Sequence, residues 1–406
     1  MPSDGERIDA RAASHFRRES GLLGPPMASG IRGERDRGVE PPLNRLVVIG
    51  AGEGGSQAVL TLAHGLAPDL AAAVLVVIHD NARHSQLPRL LSNVGIDAAF
   101  ARAGERIVPG RIYVSPPDEH LVVEGTSLRL SRGPRENRCR PAIDPLFRSA
   151  ALSHAGRVVG VLLTGEADDG VAGLQAIRQL GGLVVVQEPA DAFCPEMPQA
   201  ALEACEVDRR LPIDAIAPYL DEVCRRRPDP PPSGERPDRA TLSRLRRETM
   251  ISLGEGDARA LLDEAGRLSP FTCPECHGGL WEMLGTRPAS YRCHTGHVFT
   301  ERTMEKALAL VSRDTLWSAC RAVQERQMLL EKMAQGHRAR QELAAADRLD
   351  GAATELHEQV EAMRGVLQRG PGAELETAGP VPPAERGAPM RRPAVRERRY
   401  QGARPR

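Results

Sequence analysis

Aromatic side chains make up only 3% of the 406 residues, and lysine occurs just twice, at Lys306 and Lys332. Basic charge is therefore carried almost entirely by arginine, and 54 basic side chains are balanced by 54 acidic ones. No whole-chain field draws such a protein toward nucleic acid or an anionic membrane surface. No apolar run reaches the roughly 18 residues that a membrane helix requires. The opening MPSDGERIDAR is charged where a secretory signal needs an apolar core. The expectation is a cytoplasmic protein with no membrane insertion. Eight cysteines are too sparse at this length for a disulfide scaffold. The close pair Cys273 and Cys276, followed by Cys293, instead has the spacing of metal ligands.

What is present divides the chain into segments. Residues 1–43 are rich in charge and glycine with few large apolar groups, and are expected to be a disordered leader. From residue 44 to about 220, short apolar runs without alternation (Leu46 to Ile49, Ala73 to Ile78, Val158 to Leu163, Leu183 to Val186) are separated by amphipathic stretches such as Val171 to Leu180. Strands buried on both faces and covered by helices have this pattern. It predicts an α/β domain of three layers, α/β/α, around a mostly parallel, Rossmann-like sheet. Arg111 to Val114, Leu121 to Val123 and Ser127 to Leu130 suggest an inserted hairpin-like element, and helical patterning fades after about residue 215. Residues 221–238 contain a proline-rich, charged linker. Two short helices, Asp238 to Met250 and Asp257 to Ala265, lead into the cysteines within 239–300. Residues 301–370 carry apolar positions three or four apart, as in an antiparallel helix pair or coiled coil. The Arg/Pro-rich 371–406 is expected to be disordered.

In an open α/β sheet, functional groups collect at the carboxyl ends of the strands. Three such ends stand out: the glycine loop Gly50 to Gly55, His79, and Asp169 within Leu163-Thr164-Gly165-Glu166-Ala167-Asp168-Asp169-Gly170. Gly50, Gly52 and Gly55 match the G-x-G-x-x-G spacing of dinucleotide sites, but the same loop also serves other anions or an oxyanion.

Further segments recur in one order: Pro109 to Pro117 with His120-Leu121, Arg140-Pro141-Ala142-Ile143-Asp144-Pro145-Leu146-Phe147, Gly173-Leu174, Gly181-Gly182 and Met197-Pro198. Together with Ile49 to Gly55, Val77-Ile78-His79 and Leu163-Thr164-Gly165, they make residues 44–215 resemble the catalytic domain of chemotaxis-type (CheB-type) protein-glutamate methylesterases. The resemblance implies a serine nucleophile activated by His79, with Asp169 orienting the imidazole. The serine position falls on Gly52, which has no side chain with which to form an acyl-enzyme. Ser56 is the nearest hydroxyl and a candidate substitute, and a water activated by His79 is another. Gly54, Gly55, Arg140, Glu166 and Met197 are the candidate binding residues; Glu166-Ala167 departs from the family's usual Met-Gly. For Arg140, Asp144 and His120 structural roles stand beside binding roles. The resemblance implies hydrolysis of glutamyl methyl esters on a methyl-accepting receptor or other signalling protein. With glycine at the elbow, the expectation shifts to lost or strongly reduced hydrolysis and a regulatory or binding role.

Cys273-Pro274-Glu275-Cys276 and Cys293-His294-Thr295-Gly296-His297 place three thiolates and an imidazole on two tight turns, the ligand set of a structural zinc ribbon. Cys273, Cys276, Cys293 and His297 are the expected ligands; His294 adjoins Cys293 and is poorly placed to share the metal. No organic cofactor is expected. A scaffold role on nucleic acid or protein is the alternative, but no basic stripe favours nucleic acid. The apolar seam of the C-terminal helices favours a protein partner.

Overall fold

The computed structural model describes residues 43–79, 86–93, 95–226 and 238–369. The expected leader, most of the linker and the expected tail lie outside the described residues.

The first half alternates strand and helix. β1 (Arg45–Ala51) leads to α1 (Gly55–Gly65), β2 (Ala72–Ile78), α2 (Leu87–Asn93), β3 (Ala98–Phe100) and β4 (Ile112–Val114). A hairpin of β5 (His120–Glu124) and β6 (Ser127–Ser131) follows, then α3 (Ile143–His154), β7 (Val158–Leu162), α4 (Val171–Gln179), β8 (Leu183–Gln187), α5 (Glu196–Ala204), β9 (Arg209–Leu211) and α6 (Ile213–Arg225). Seven strands form one sheet in the order β3-β4-β2-β1-β7-β8-β9, and every pairing in it is parallel. Side chains alternate between its two faces. Leu46 and Val48 pack with Ile143, Phe147 and Leu174 on one face, while Val47 and Ile49 pack with Val59, Leu62 and Ile216 on the other.

Two expectations are revised. Ile112–Val114 is not part of the inserted hairpin: all three residues are buried, and the segment joins the main sheet beside β2. Helical structure also continues past residue 215, because Ile216, Ala217, Leu220 and Cys224 give α6 a buried stripe at a spacing of three or four.

The second half begins with α7 (Arg239–Leu253) and α8 (Ala258–Ala265). The side chains of Asp238 and Asp257 cap their N-termini by accepting from backbone N–H groups. An antiparallel sheet follows, made of β10 (Gly266–Thr272), β11 (Gly279–Met283), β12 (Ser290–Cys293) and β13 (Val298–Thr300). β13 runs directly into α9 (Glu301–Ala339), whose N-cap Thr300 forms a reciprocal capping box with Thr303. A short turn leads to α10 (Leu343–Arg369). Arg338 pairs with Asp350 near the turn and Arg364 with Gln324 farther from it, so the two helices run antiparallel. No helix among the described residues is long and apolar enough to cross a membrane.

Candidate functional site

The chain order reverses across the sheet between β1 and β7, since β2 lies on one side of β1 and β7 on the other. Crevices in doubly wound sheets open at such points, beyond the carboxyl ends of the strands. A cleft of about 1370 Å³ lies here, lined among others by Gly52, Gly54, Gly55, Ser56, His79 and Glu166. Its far wall comes from the C-terminal region: Pro274, Glu275, Thr303, Lys306 and Leu310.

His79 follows β2, and its backbone N–H donates to Ala51 O at 2.9 Å. The imidazole Nε2 donates to Asp169 Oδ2 at 2.7 Å, with side-chain exposures of 16% and 3%. The Asp169 carboxylate is held from several sides. It accepts from the backbone N–H of Ile143 (2.6 Å) and Asp144 (3.3 Å) at the start of α3, and from Asn137 Nδ2 (2.9 Å). A helix N-terminus favours negative charge. Burial alone would raise the Asp169 pKa, but the hydrogen bond and charge of His79 and the donors from Ile143 and Asn137 hold it below the ordinary carboxylate value. Burial also opposes the His79 cation. The Cys139 sulfur and Asp169 outweigh it, and the imidazole is pushed up to about 10.

Gly52 sits beyond β1, its N–H donating to Thr164 O at 2.8 Å. A Cβ built there would lie 2.9 Å from Gly165 Cα and 3.3 Å from Met197 Cε. The backbones of the two strand-end loops are thus too close for a side chain at residue 52 without movement. Gly54 precedes α1 at φ +76°, where a Cβ would meet Phe193 Cβ at 2.7 Å. Gly55 starts α1, and Ser56 lies in its first turn; no hydrogen bond joins Ser56 to His79 among the described residues. Glu166 is exposed at the cleft. Met197 is fully buried beneath Gly52 and Gly165 rather than lining the opening.

Arg140 points elsewhere: it pairs with Asp118 at 2.7 Å and donates to the carbonyls of Arg132 and Gly133. Asp144 is buried within α3, accepting from Gly173 N–H and Asn137 Nδ2. His120 is buried, its Nε2 bonded to Pro134 O and its Nδ1 accepting from Ala142 N–H.

Several residues at this site escaped the sequence reading. Asn137, at φ +51°, bridges Asp144 and Asp169. Cys139 lines the same cleft as His79. Asp168 accepts from Thr300 Oγ1 at 2.7 Å, which ties the start of α9 to the loop after β7. Only the polar Glu136-Asn137-Arg138-Cys139 run before the Arg140-Pro141 motif marked this segment, and polarity does not distinguish a loop at a site from any other.

The second polar centre lies in the antiparallel sheet. Donor atoms of Cys273, Cys276, Cys293 and His297 all fall within 4.8 Å of one another. His297 Nδ1 faces the sulfurs of Cys293 at 3.5 Å and Cys273 at 3.7 Å, while its Nε2 lies 3.3 Å from Glu275 Oε2. Carboxylate support on the far nitrogen is the usual way of orienting a ligating imidazole. His294 is exposed and outside the group. Four soft and borderline donors at this separation suit a tetrahedral metal ion.

Residues 47–220 match the CheB methylesterase family profile. The chain is 37% identical over 210 residues to protein-glutamate methylesterase/protein-glutamine glutaminase 2 of Anaeromyxobacter dehalogenans, covering 50% of this chain and 62% of that protein. It is also 37% identical over 176 residues to a putative protein-glutamate methylesterase/protein-glutamine glutaminase of Leptospira interrogans, covering 42% of this chain and 90% of that one. The crystal structure of the Thermotoga maritima CheB methylesterase catalytic domain aligns at 27% identity with a TM-score of 0.43, covering 44% of this chain and 98% of that domain. The matched part thus spans less than two thirds of the Anaeromyxobacter protein. A 37% identity that reaches across 90% of the Leptospira protein, together with the family profile over residues 47–220, establishes that the chain belongs to the CheB methylesterase family.

Proposed function

We propose that this protein acts in chemotaxis-type or two-component signalling, and that its cleft recognises derivatised glutamyl side chains (γ-methyl esters or glutamine amides) on a methyl-accepting receptor or similar helical partner. In this reading residues 44–220 are the recognition unit and the family's serine route is lost. The observation that carries it is the pairing of an intact, multiply bonded His79–Asp169 couple with a Gly52 that has no room for a side chain. An acyl-enzyme needs an atom with a lone pair at the elbow, and glycine offers none. Ser56 has no hydrogen bond to the base among the described residues, so it is poorly set to substitute.

We further propose that Cys273, Cys276, Cys293 and His297 hold a structural zinc ion. All four positions of a tetrahedral site would be filled by the chain, leaving none for substrate. The metal would stabilise the wall that carries Pro274 and Glu275.

Two measurements test this reading. A fluorophosphonate probe, which marks activated serines, is expected to leave the protein unlabelled; stoichiometric labelling of Ser56 would overturn the loss of the serine route. A receptor-helix peptide carrying glutamyl γ-methyl esters is expected to bind the full chain and to bind more weakly after Glu166→Lys. Absence of any binding would remove the recognition assignment.

A further inference from the structure

The turn that carries the last candidate metal ligand reaches directly into the bracing of the His79–Asp169 couple. His297 is followed at once by β13, whose first residue, Val298, pairs with the loop before α3. Asn137 N–H donates to Val298 O at 2.8 Å, and Val298 N–H donates to Arg135 O at 3.3 Å. The Asn137 side chain in turn donates to Asp169 Oδ1 and to Asp144 Oδ2, both at 2.9 Å. Two residues beyond Val298, Thr300 Oγ1 donates to Asp168 Oδ1 at 2.7 Å, next in sequence to Asp169. A single ligand residue is thus joined to the couple by two short routes, one through Asn137 and one through Thr300.

The same turn touches the loop without any side chain between them. Gly296 adopts φ +104°, and a Cβ built there would lie 2.7 Å from Pro134 Cγ. A shift of the Cys293–His297 turn toward the loop must therefore displace Pro134. On its other side, His297 Nε2 lies 3.3 Å from the carboxylate of Glu275, which lines the cleft. Asn137, Asp168, Asp169 and Thr300 are all buried. A buried polar group has no water to turn to when its partner moves, so these bonds transmit a displacement rather than absorb it.

From these connections we infer that metal occupancy of the Cys273, Cys276, Cys293 and His297 set positions the His79–Asp169 couple, so that metal binding and recognition in the cleft are thermodynamically coupled. The inference rests on the recognition and zinc readings above. With the ligands gathered, His297 is fixed, Val298 and Thr300 stay in register, and Asn137 and Asp168 hold the loop that presents Asp169 to His79. With the ligands released, the turn has no polar reason to keep its shape. Asn137 then loses its backbone acceptor, and Asp169 keeps only its donors from His79 and the start of α3. Strands β1, β2 and β7 remain, because their cohesion is apolar. Asn137 and Thr300 are positioning residues in this scheme. Coupling is reciprocal, so a partner held in the cleft tightens the metal by the factor by which the metal tightens the partner.

The test uses the full-length protein, loaded with zinc or stripped by a chelator. Zinc removal is expected to shift or broaden the proton resonance of His79 Nε2–H and to speed amide exchange at Asn137 about 10-fold or more, while β1 stays protected. A receptor-helix peptide bearing a glutamyl γ-methyl ester is expected to bind the stripped protein about 10-fold more weakly, and saturating peptide to raise zinc affinity by the same factor, read by competition with a chromogenic chelator. Thr300→Val, which removes the donor to Asp168, is expected to take up zinc yet lose most of that factor. Thr300→Ser keeps the donor and is expected to keep the factor, which separates the hydrogen bond from a general loss of packing. A His79 resonance and an Asn137 exchange rate that ignore zinc overturn the inference whatever the peptide does, as does a protein that takes up no zinc. Peptide affinity equal with and without zinc overturns it while leaving the recognition reading in place. A resonance and exchange rate that follow zinc in a protein that binds no peptide uphold the link between metal and couple and remove the recognition reading.

Discussion

The parallel sheet and the antiparallel sheet show two ways of holding a chain together. Around the first, Leu46, Val48, Leu75, Leu121, Phe147, Leu162 and Leu174 are all fully or almost fully buried in one continuous apolar cluster, and a second cluster covers the opposite face. Around the second, one cluster holds Cys273, Leu280, Cys293, Phe299, Met304 and Ala307, two of which are candidate metal ligands, and another holds Ile251, Leu262, Ala265, Trp281 and Met283. At roughly 25 cal/mol per Å² of apolar surface, these two small clusters contribute less against the entropy of ordering four strands than the two large ones contribute to the parallel sheet. What fills the deficit is polar: a four-donor ligand set, the buried Glu136–Arg148–Arg292 group, and the Asp168–Thr300 hydrogen bond. The part of the molecule that forms the far wall of the cleft thus depends on charge and ligation, whereas the part that carries His79 and Asp169 depends on burial.

Metal removal should separate the two most widely. Structural zinc in small modules contributes about 10–16 kcal/mol of apparent binding free energy, which is folding free energy there. Chelation, or Cys293→Ser, is expected to abolish amide protection in residues 266–300 while leaving β1, β2 and β7 protected, as read by hydrogen exchange. Persistent protection of β11 and β12 in metal-free protein would erase the distinction drawn here.

Glu136 comes next, because it bonds both halves. Removing one partner of a buried ion pair leaves an uncompensated charge, so Glu136→Ala is expected to cost about 3–5 kcal/mol in urea unfolding. Burial opposes the Glu136 charge, yet Arg148 and Arg292 outweigh it and bring its pKa from 4.5 to about 2. A carboxylate depressed in the folded state contributes stability that is complete above its unfolded pKa and is lost as pH falls. The wild-type protein should therefore lose stability between about pH 4.5 and 2 through this group, a slope that Glu136→Gln should lack. Equal slopes in both proteins would show that the pair does not join the two halves energetically.

Gly52→Ser tests the apolar half at its tightest point. With Gly165 Cα 2.9 Å from the new Cβ, overpacking is expected to cost about 1–3 kcal/mol, seen as a lower urea midpoint with the metal still bound. A variant as stable as wild type would mean that the strand-end loops yield readily and that the elbow is open to a side chain.

The smallest effects are expected at the two capping aspartates. Asp238→Ala and Asp257→Ala should each cost about 1 kcal/mol. α7 places Leu245 in the core of the parallel domain, whereas α8 contributes Leu262 and Ala265 to a cluster with Trp281 and Met283. Loss at Asp238 should thus lower the stability of the parallel domain, and loss at Asp257 that of the antiparallel sheet, as resolved by exchange at β7 and β11. Equal effects of both changes on both regions would indicate one cooperative unit.

Much of the fold was legible because its signals are local. Apolar runs such as Val74 to Ile78 announce a doubly covered strand, and Asp257 ahead of the Ala258 to Ala265 stretch announces a helix start, since each depends on near neighbours. Ile112–Val114 was misplaced because a three-residue strand has the same pattern in a hairpin as in a parallel sheet; only its burial beside Val74 to Val76 assigns it. At the site, His79 and Asp169 were readable at strand ends, and the structure joins them at 2.7 Å. Arg140 was expected among the binding residues, yet it lies against Asp118, because a guanidinium goes to whichever carboxylate the fold brings within reach.

Sequence alone determined that residue 52 has no side chain, that three cysteines and a histidine recur at ligand spacing, and that strands alternate with helices: these are properties of composition and of short-range period. Tertiary structure alone decided that His79 meets Asp169, that Asn137 braces Asp169, and that the start of α9 walls the cleft. Those contacts join segments far apart in the chain. They exist because buried groups such as Glu136 and Asp168 must find partners once water is excluded, and no local pattern records which partners the packing will supply.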